Sequence, residues 1–280
     1  RGIPIATQID IEQKYEAATV EEVYNQIFAD IKEGRELLQV EQQSRDVQYR
    51  FSKRSAMALE ARVRLYHQDW EDALELAEEL IPSCSLENLN EATAGDPALV
   101  TSKEAIMSLE VIGSYYLNGG MHITSQLLEK YNQAGDKRLG VYFKENGDYY
   151  VCKREYGNNA RITFRSGEIY LIAAEADIYL NGGANAAGYI NKVRERAGAN
   201  PLTGSITMRD ILDERGRELC GEYCRFYDLK RTGMFKNSEY LENTHPDLVR
   251  FFHPNYALRP ISTTFTATIT NGGEYQNPGY

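Results

Sequence analysis

Two stretches of this chain repeat one arrangement, an amphipathic helix, a short break and a second amphipathic helix rich in alanine. The first covers about 52–82. Ala56, Leu59, Val63 and Tyr66 recur at helical spacing over about Lys53–Tyr66. After His67-Gln68-Asp69, with Asp69 of N-cap type, a second stripe holds Trp70, Ala73, Leu74, Ala77, Leu80 and Ile81 until Pro82 ends it. The arrangement returns over Glu168–Leu180, with Ile169, Ile172, Ala173 and Ala176, then the breaker Asn181-Gly182-Gly183. A further helix over about Ala184–Ala197 carries Ala187, Ile190 and Val193, and closes at Gly198 and Pro201. Half-apolar helices separated by so few residues fold back on one another as hairpins. Ala73 and Ala77 share a face and let the partner helix come close.

These units resemble tetratricopeptide repeats with a degenerate signature, and such repeats stack and bind partners rather than catalyse. The expected fold is mainly α, with tetratricopeptide-like helical hairpins, long loops and a small β-hairpin region, as one domain over 1–280. Residues 1–17 read as extended. Thr19-Val20-Glu21-Glu22 reads as a capping box opening a helix whose stripe runs through Val23, Tyr24, Ile27, Phe28 and Ile31. The loop and hairpin region spans about 83–164: Ala105–Val111 reads as a strand, and Val141-Tyr142-Phe143 and Tyr149–Cys152 flank the turn-forming Glu145-Asn146-Gly147-Asp148. The second helical hairpin and one long helix, from Thr207 to about Lys230, fill about 165–231, and 232–280 reads as an irregular tail. In the long helix Arg215–Glu218, Glu222–Arg225, Arg225–Asp228 and Asp228–Arg231 are opposite charges three apart. They are either a solvated ladder, each pair contributing about 0.2–0.5 kcal/mol, or ties to the loops that follow.

Composition narrows function. The formal net charge of -10 repels phosphate backbones and argues against a nucleic-acid partner. No run of 18 apolar residues is present to form a membrane-spanning helix. Cys84, Cys152, Cys220 and Cys224 form no C-x-x-C pair; Cys220 and Cys224 fall on one face of the expected long helix, where helix neighbours rarely meet disulfide geometry. No metal site and no cofactor is expected. His67, His122, His245 and His253 are scattered, and the metalloprotease, nucleophile-elbow and phosphate-loop motifs are missing. A glycosidase needs two placed carboxylates, and nothing selects a pair among the 41 acidic residues. An enzyme is therefore not expected. The 20 tyrosines stand out, since a flat apolar face with a hydroxyl edge suits a sugar ring as well as a helix interface.

Arg165-Ser166-Gly167-Glu168-Ile169-Tyr170-Leu171, followed by Ala173-Ala174-Glu175-Ala176, resembles a helix of the SusD/RagB family with its Arg-x-x-Glu start. Asn191–Gly198 resembles that family's next helix. Glu214-Arg215, Glu218-Leu219, Glu222, Arg225, Asp228-Leu229 and Arg231 resemble the one after it. Leu258-Arg259-Pro260-Ile261 and the closing Gln276-Asn277-Pro278-Gly279-Tyr280 agree, as do Gly2-Ile3-Pro4-Ile5, Asp69-Trp70, Tyr131, Gly135–Arg138 and Lys153 in order. The resemblance implies a non-catalytic surface lipoprotein that captures oligosaccharides for uptake through a TonB-dependent outer-membrane transporter. It also implies a scaffold of four degenerate repeats with sugar-contacting aromatic residues in its loops. Family members are usually longer, with a lipid-bearing amino-terminal Cys and further helices before the Gly-Ile-Pro segment, so the chain reads as a carboxy-terminal part without its anchor. The alternatives are a protein-binding repeat scaffold without a sugar ligand and a glycoside-processing enzyme.

The expected sugar contacts lie in the loop region before Arg165. They are Tyr115, Tyr116, Tyr142, Tyr149 and Tyr150, although Tyr142 and Tyr149 also suit a cross-strand pair. Trp70, at the start of a repeat helix, reads as packing. Arg165, Glu168, Glu175, Arg215, Glu218 and Arg225 read as ion pairs and caps that hold the fold.

Overall fold

A computed structural model describes residues 2–9, 15–109, 123–132, 135–147, 149–153, 161–222, 224–234 and 237–244. The chain divides into two compact units, Leu37–Arg231 and a smaller one made of Arg1–Glu36 with Thr232–Tyr280. In the smaller unit, helix α1 (Val20–Leu37) opens with the expected capping box. Thr19 N donates to the Glu22 carboxylate at 2.7 Å and Glu22 N donates to Thr19 Oγ1 at 3.1 Å.

The larger unit is built on helices α2 (Lys53–His67) and α3 (Trp70–Leu80). Ser52 and Ser55 cap α2 reciprocally, and Gln68, left-handed at φ 71°, ends it by donating back to Arg64 and Leu65 carbonyls. Asp69 does not cap α3 through its side chain; its carboxylate instead takes Arg64 at 2.9 Å and His67 at 2.8 Å. Helices α6 (Ser166–Asn181) and α7 (Ala186–Arg196) form the second hairpin. α3 packs between α2 and α6, and α6 packs on α7. The alanines do what their size allows: Ala58, Ala61, Ala73, Ala77, Ala173 and Ala176 are all fully buried where these helices meet, beside Leu65, Leu80, Ile169 and Ile172. Each such leucine or isoleucine contributes about 1.5–3 kcal/mol by leaving water. α6 is buried on two faces. Ile169, Ile172, Ala173 and Ala176 face α2 and α3, while Leu171 and Ala174 face Ile190, Val193 and Ile211.

Among its described residues, the intervening region holds two small antiparallel sheets. Strand β1 (Ala105–Leu109) pairs with β4 (Arg161–Arg165), and β2 (Phe143–Asn146) with β3 (Tyr149–Cys152). Short helices α4 (Ser125–Asn132) and α5 (Arg138–Tyr142) precede the β2–β3 hairpin. Val141 and Tyr142 therefore close a helix rather than open a strand.

The expected long helix is two. α8 (Met208–Glu218) starts at a Thr207–Asp210 capping box and stops, and α9 (Arg225–Arg231) begins after a turn. Gly221, at φ 78°, takes the left-handed backbone that a helix cannot continue through. Cys220 consequently sits in the turn, off any helix face shared with Cys224. In the smaller unit, part of the expected irregular tail is helical. Asn237 accepts from Tyr240 N at 2.9 Å and starts α10 (Ser238–Thr244), which buries Tyr240 and Leu241.

Candidate functional site

Among the described residues of the larger unit, charged side chains gather in a buried network on α8. Glu218, without solvent exposure, accepts from Arg165 Nη1 at 2.5 Å, from Arg138 Nη1 at 2.9 Å and from Arg196 Nη2. Arg165 also reaches Glu104 at 3.0 Å, Glu222 at 2.8 Å and the Glu218 carbonyl at 2.7 Å. Arg138 reaches Asp136 at 2.7 Å and Glu214 at 2.6 Å, and Glu214 takes Arg194 and Arg217 as well, each at 2.6 Å. Glu104 stands before β1, Arg138 opens α5 toward the β2–β3 hairpin, and Arg165 ends β4. The network thus ties both small sheets at their bases to one helix of the frame.

Gly167 makes room for this. A Cβ there would lie 2.5 Å from Arg165 Nη1 and 2.7 Å from Glu218 Oε1. A second network runs beside it. Arg215 donates to Asp228 at 2.8 Å, and Arg231 bridges Asp228 at 2.9 Å and Glu175 at 2.5 Å. Glu168 accepts from Arg62 at 2.8 Å. Of the pairs expected along the helix, Asp228–Arg231 forms at 2.9 Å, whereas Arg215 and Glu218 turn to tertiary partners; Arg215, Glu218 and Asp228 are buried, so these charges are ties within the fold and not a solvated ladder. Arg225 donates to the Leu212 carbonyl at 2.7 Å.

Burial pushes the Glu218 carboxyl up, but Arg196, Arg165 and Arg138 outweigh it and hold it down at about 2. Glu214 is likewise lowered against burial by Arg138, Arg217 and Arg194. Glu104 goes the other way: burial raises it, and Arg196 and Arg165, already engaged by Glu218, do not compensate. Carboxylates held ionised by guanidiniums that never deprotonate are poor proton donors and acceptors. The arrangement is suited to holding three chain segments together. Among the described residues, no group of three His, Cys, Asp or Glu side chains gathers to hold a metal ion.

The tyrosines expected at the sugar surface separate. Tyr115 and Tyr116 lie outside the described residues. Tyr142 is fully buried in a cluster with Leu89, Tyr131, Phe143, Cys152 and Ala197, so its ring presents no face to a ligand. The reason is its place at the inner end of α5, where Lys153 N reaches its carbonyl at 2.7 Å. It does not pair across the hairpin with Tyr149, whose partner in the register is Asn146. Tyr149 is described by its place in β3 alone. Tyr150, opposite Glu145, is half-buried against the Tyr142 cluster, and its carbonyl accepts from Ile123 N at 3.1 Å. Trp70 stacks flat on Tyr179, centroids 4.0 Å apart and planes 8° apart, which is packing between α3 and α6. The sequence reading passed over Tyr49 and Phe51, each 44% exposed just before α2. Their Tyr-Arg-Phe run lacks periodicity, and only its position immediately ahead of the Ser52 cap marked it as a place where rings stand outside the helix.

A family model described as "SusD family" matches residues 132–280, more than half of the chain. The chain belongs to the SusD family. A second model, described as "Starch-binding associating with outer membrane", matches residues 1–65. Among curated SusD-like relatives, SusD-like protein P25 of Formosa agariphila is 45% identical over 108 residues, 36% of this chain and 19% of that protein. The starch-binding protein SusD of Bacteroides thetaiotaomicron is 42% identical over 78 residues, 28% of this chain and 14% of that protein. These matches span about a fifth or less of the relatives' length. A putative sugar-binding protein of Bacteroides vulgatus superposes with TM-score 0.77 at 28% identity, covering 100% of this chain and 70% of that one. A laminarin-binding SusD-like protein superposes at TM-score 0.72 and 21% identity, covering 99% and 74%. The mainly helical frame with its small hairpin is thus the SusD fold.

Proposed function

We propose that this chain is the frame-bearing part of a cell-surface receptor that binds oligosaccharide for uptake through a TonB-dependent transporter of the outer membrane, and that it makes and breaks no covalent bond. Membership of the SusD family over residues 132–280 is the observation that carries the proposal. The starch-binding and laminarin-binding relatives support a carbohydrate ligand. The wording of the amino-terminal family match supports outer-membrane association, which a lipid anchor in the full-length protein would supply.

The structure supports the same reading from below. The concentrated acids and arginines are spent on one another at the bases of the loops, which leaves the loops to meet the ligand. Tyr115, Tyr116, Tyr149 and Tyr150 are the proposed contacts; Tyr142, being buried, is not one of them. The test is native gel retardation in gels cast with soluble starch, laminarin and other polysaccharides, alongside affinity capture from outer-membrane extracts. Slowed migration in at least one gel, with a TonB-dependent transporter in the captured fraction, is the expected result. Unaltered migration in every gel, with protein partners captured that are not transporters, favours the sugar-free scaffold instead.

A further inference from the structure

Four Asn-Gly dipeptides occur in the chain, at 118–119, 146–147, 181–182 and 271–272. Two of them, Asn146-Gly147 and Asn181-Gly182, lie among the described residues. A glycine after an asparagine has no side chain to keep its backbone nitrogen away from the asparagine amide carbon. The two sites make a matched pair. All four residues are exposed, and both glycines take the left-handed backbone at φ 64°. A Cβ at either glycine would meet nothing within 4 Å. Exposure and local backbone therefore do not distinguish them.

Hydrogen bonding does. Asn181 closes α6, and its side-chain amide donates to Asp177 Oδ1 at 2.7 Å. The Gly182 N–H donates to the Asp177 carbonyl as the helix cap. Asp177 is fully buried and also accepts from Asn185, from N at 2.8 Å and from Nδ2 at 3.2 Å. The glycine nitrogen and the asparagine amide are thus both tied to one anchored residue. Asn146 instead ends β2 at the tip of a two-stranded sheet, opposite Tyr149. Among the described residues, no group holds the Gly147 N–H. A two-stranded ribbon is marginal by itself, and its tip opens at little cost.

We propose that Asn146 is a site of spontaneous covalent modification, where the chain deamidates while Asn181 stays protected. The Gly147 nitrogen loses its proton and bonds to Asn146 Cγ. The Cγ–Nδ2 bond breaks, and ammonia leaves with a proton in place of the one given up. The five-membered imide then takes up one water. Opening at the new Cγ–N bond gives aspartate, and opening at the original backbone C–N bond gives isoaspartate. Either product adds a negative charge between Glu145 and Asp148 in sequence. Isoaspartate also adds a backbone carbon at the position paired with Tyr149, which breaks the last pair of the ladder. The hairpin tip therefore changes in charge and pairing as the protein ages.

The test is peptide mapping by mass spectrometry after timed incubation of the full chain in mildly alkaline buffer, both folded and in denaturing urea. Isoaspartate is counted by enzymatic methyl transfer, and the peptides separate 146 and 181 from the other two Asn-Gly sites. In the folded protein Asn146 should convert about tenfold faster than Asn181, the factor equivalent to about 1.4 kcal/mol of hydrogen-bond protection. In urea the two rates should come together, because the Asp177 bonds are gone. Asn146→Gln should remove the conversion at 146 and leave that at 181 as it was. Conversion at Asn146 no faster than at Asn181 in the folded protein overturns the proposal. So does a gap as wide in urea as in the folded protein, which would place the cause in the neighbouring sequence rather than in the fold.

Discussion

Glu218 gathers three arginines into one buried carboxylate, so removing it leaves three cations without that counter-charge in the protein interior. Breaking such a network costs about 3–5 kcal/mol. Glu218→Ala should therefore lower Tm by roughly 10 °C in calorimetry, while the protein still folded at low temperature keeps its glycan affinity within about twofold. An unchanged Tm would remove the network from the account. The carboxyl's lowered pKa sets the sign of its pH dependence. Its contribution is fully present above about 4.5, and is lost as pH falls through the folded value of about 2. Glu104 is raised, so it favours the folded state in acid and costs stability as pH rises through its folded value. Glu104→Gln should consequently be milder than Glu218→Gln in parallel melts at pH 7, and an equal or larger loss for Glu104→Gln would contradict the assignment. The residue types of this network were legible in the sequence as Arg-x-x-Glu and Glu-Arg-x-x-Glu runs. Spacing of three along a helix gave only the near partners, as in Asp228–Arg231, and missed the far ones, because burial turned Glu218 to arginines about 50 to 80 residues away.

At the scale of elements, the helical hairpins were legible because each carries an apolar stripe at helical spacing and a breaker at its turn. α6 needed no strong stripe, since it is packed on both sides. The α8–α9 break was hidden because alternating charges continue across Gly221 at helical spacing, and one backbone angle decides the matter. Tyr142 was misjudged for a related reason: apolar residues beside a turn signal read as strand, while α5 buries the ring first. Two element-scale predictions follow from packing. Ala77→Leu, at a fully buried contact among α2, α3 and α6, should overpack the interface and cost about 1–3 kcal/mol in urea unfolding. Gly167→Ala should destabilise the protein more than an ordinary glycine-to-alanine change in a helix, which is usually favourable. Its added methyl meets Arg165 and Glu218 while both are held by several partners. A Gly167→Ala protein as stable as the parent would mean that the network shifts freely.

For the larger unit, the fold amounts to a stack of paired helices with the loop region fastened to it by ion pairs at Glu104, Arg138 and Arg165. The class of the fold could be read from sequence because repeat hairpins are local. The ligand surface could not, because sugar contacts depend on which tyrosines face solvent, and neither composition nor spacing decides that. Tyr142 is spent inside, Trp70 is half-buried against the Tyr179 ring, Tyr49 and Phe51 stand outside, and Tyr115 and Tyr116 lie beyond the described residues. The claim that a stiff frame presents aromatic faces to carbohydrate without chemistry is tested most directly by injecting an oligosaccharide series into the protein in a calorimeter and assaying the same samples for new reducing ends. The account predicts saturable heats for at least one glycan that return to baseline after each injection, with the sugar recovered intact. Sustained heat accompanied by new reducing ends, or no heat with any glycan, would contradict it.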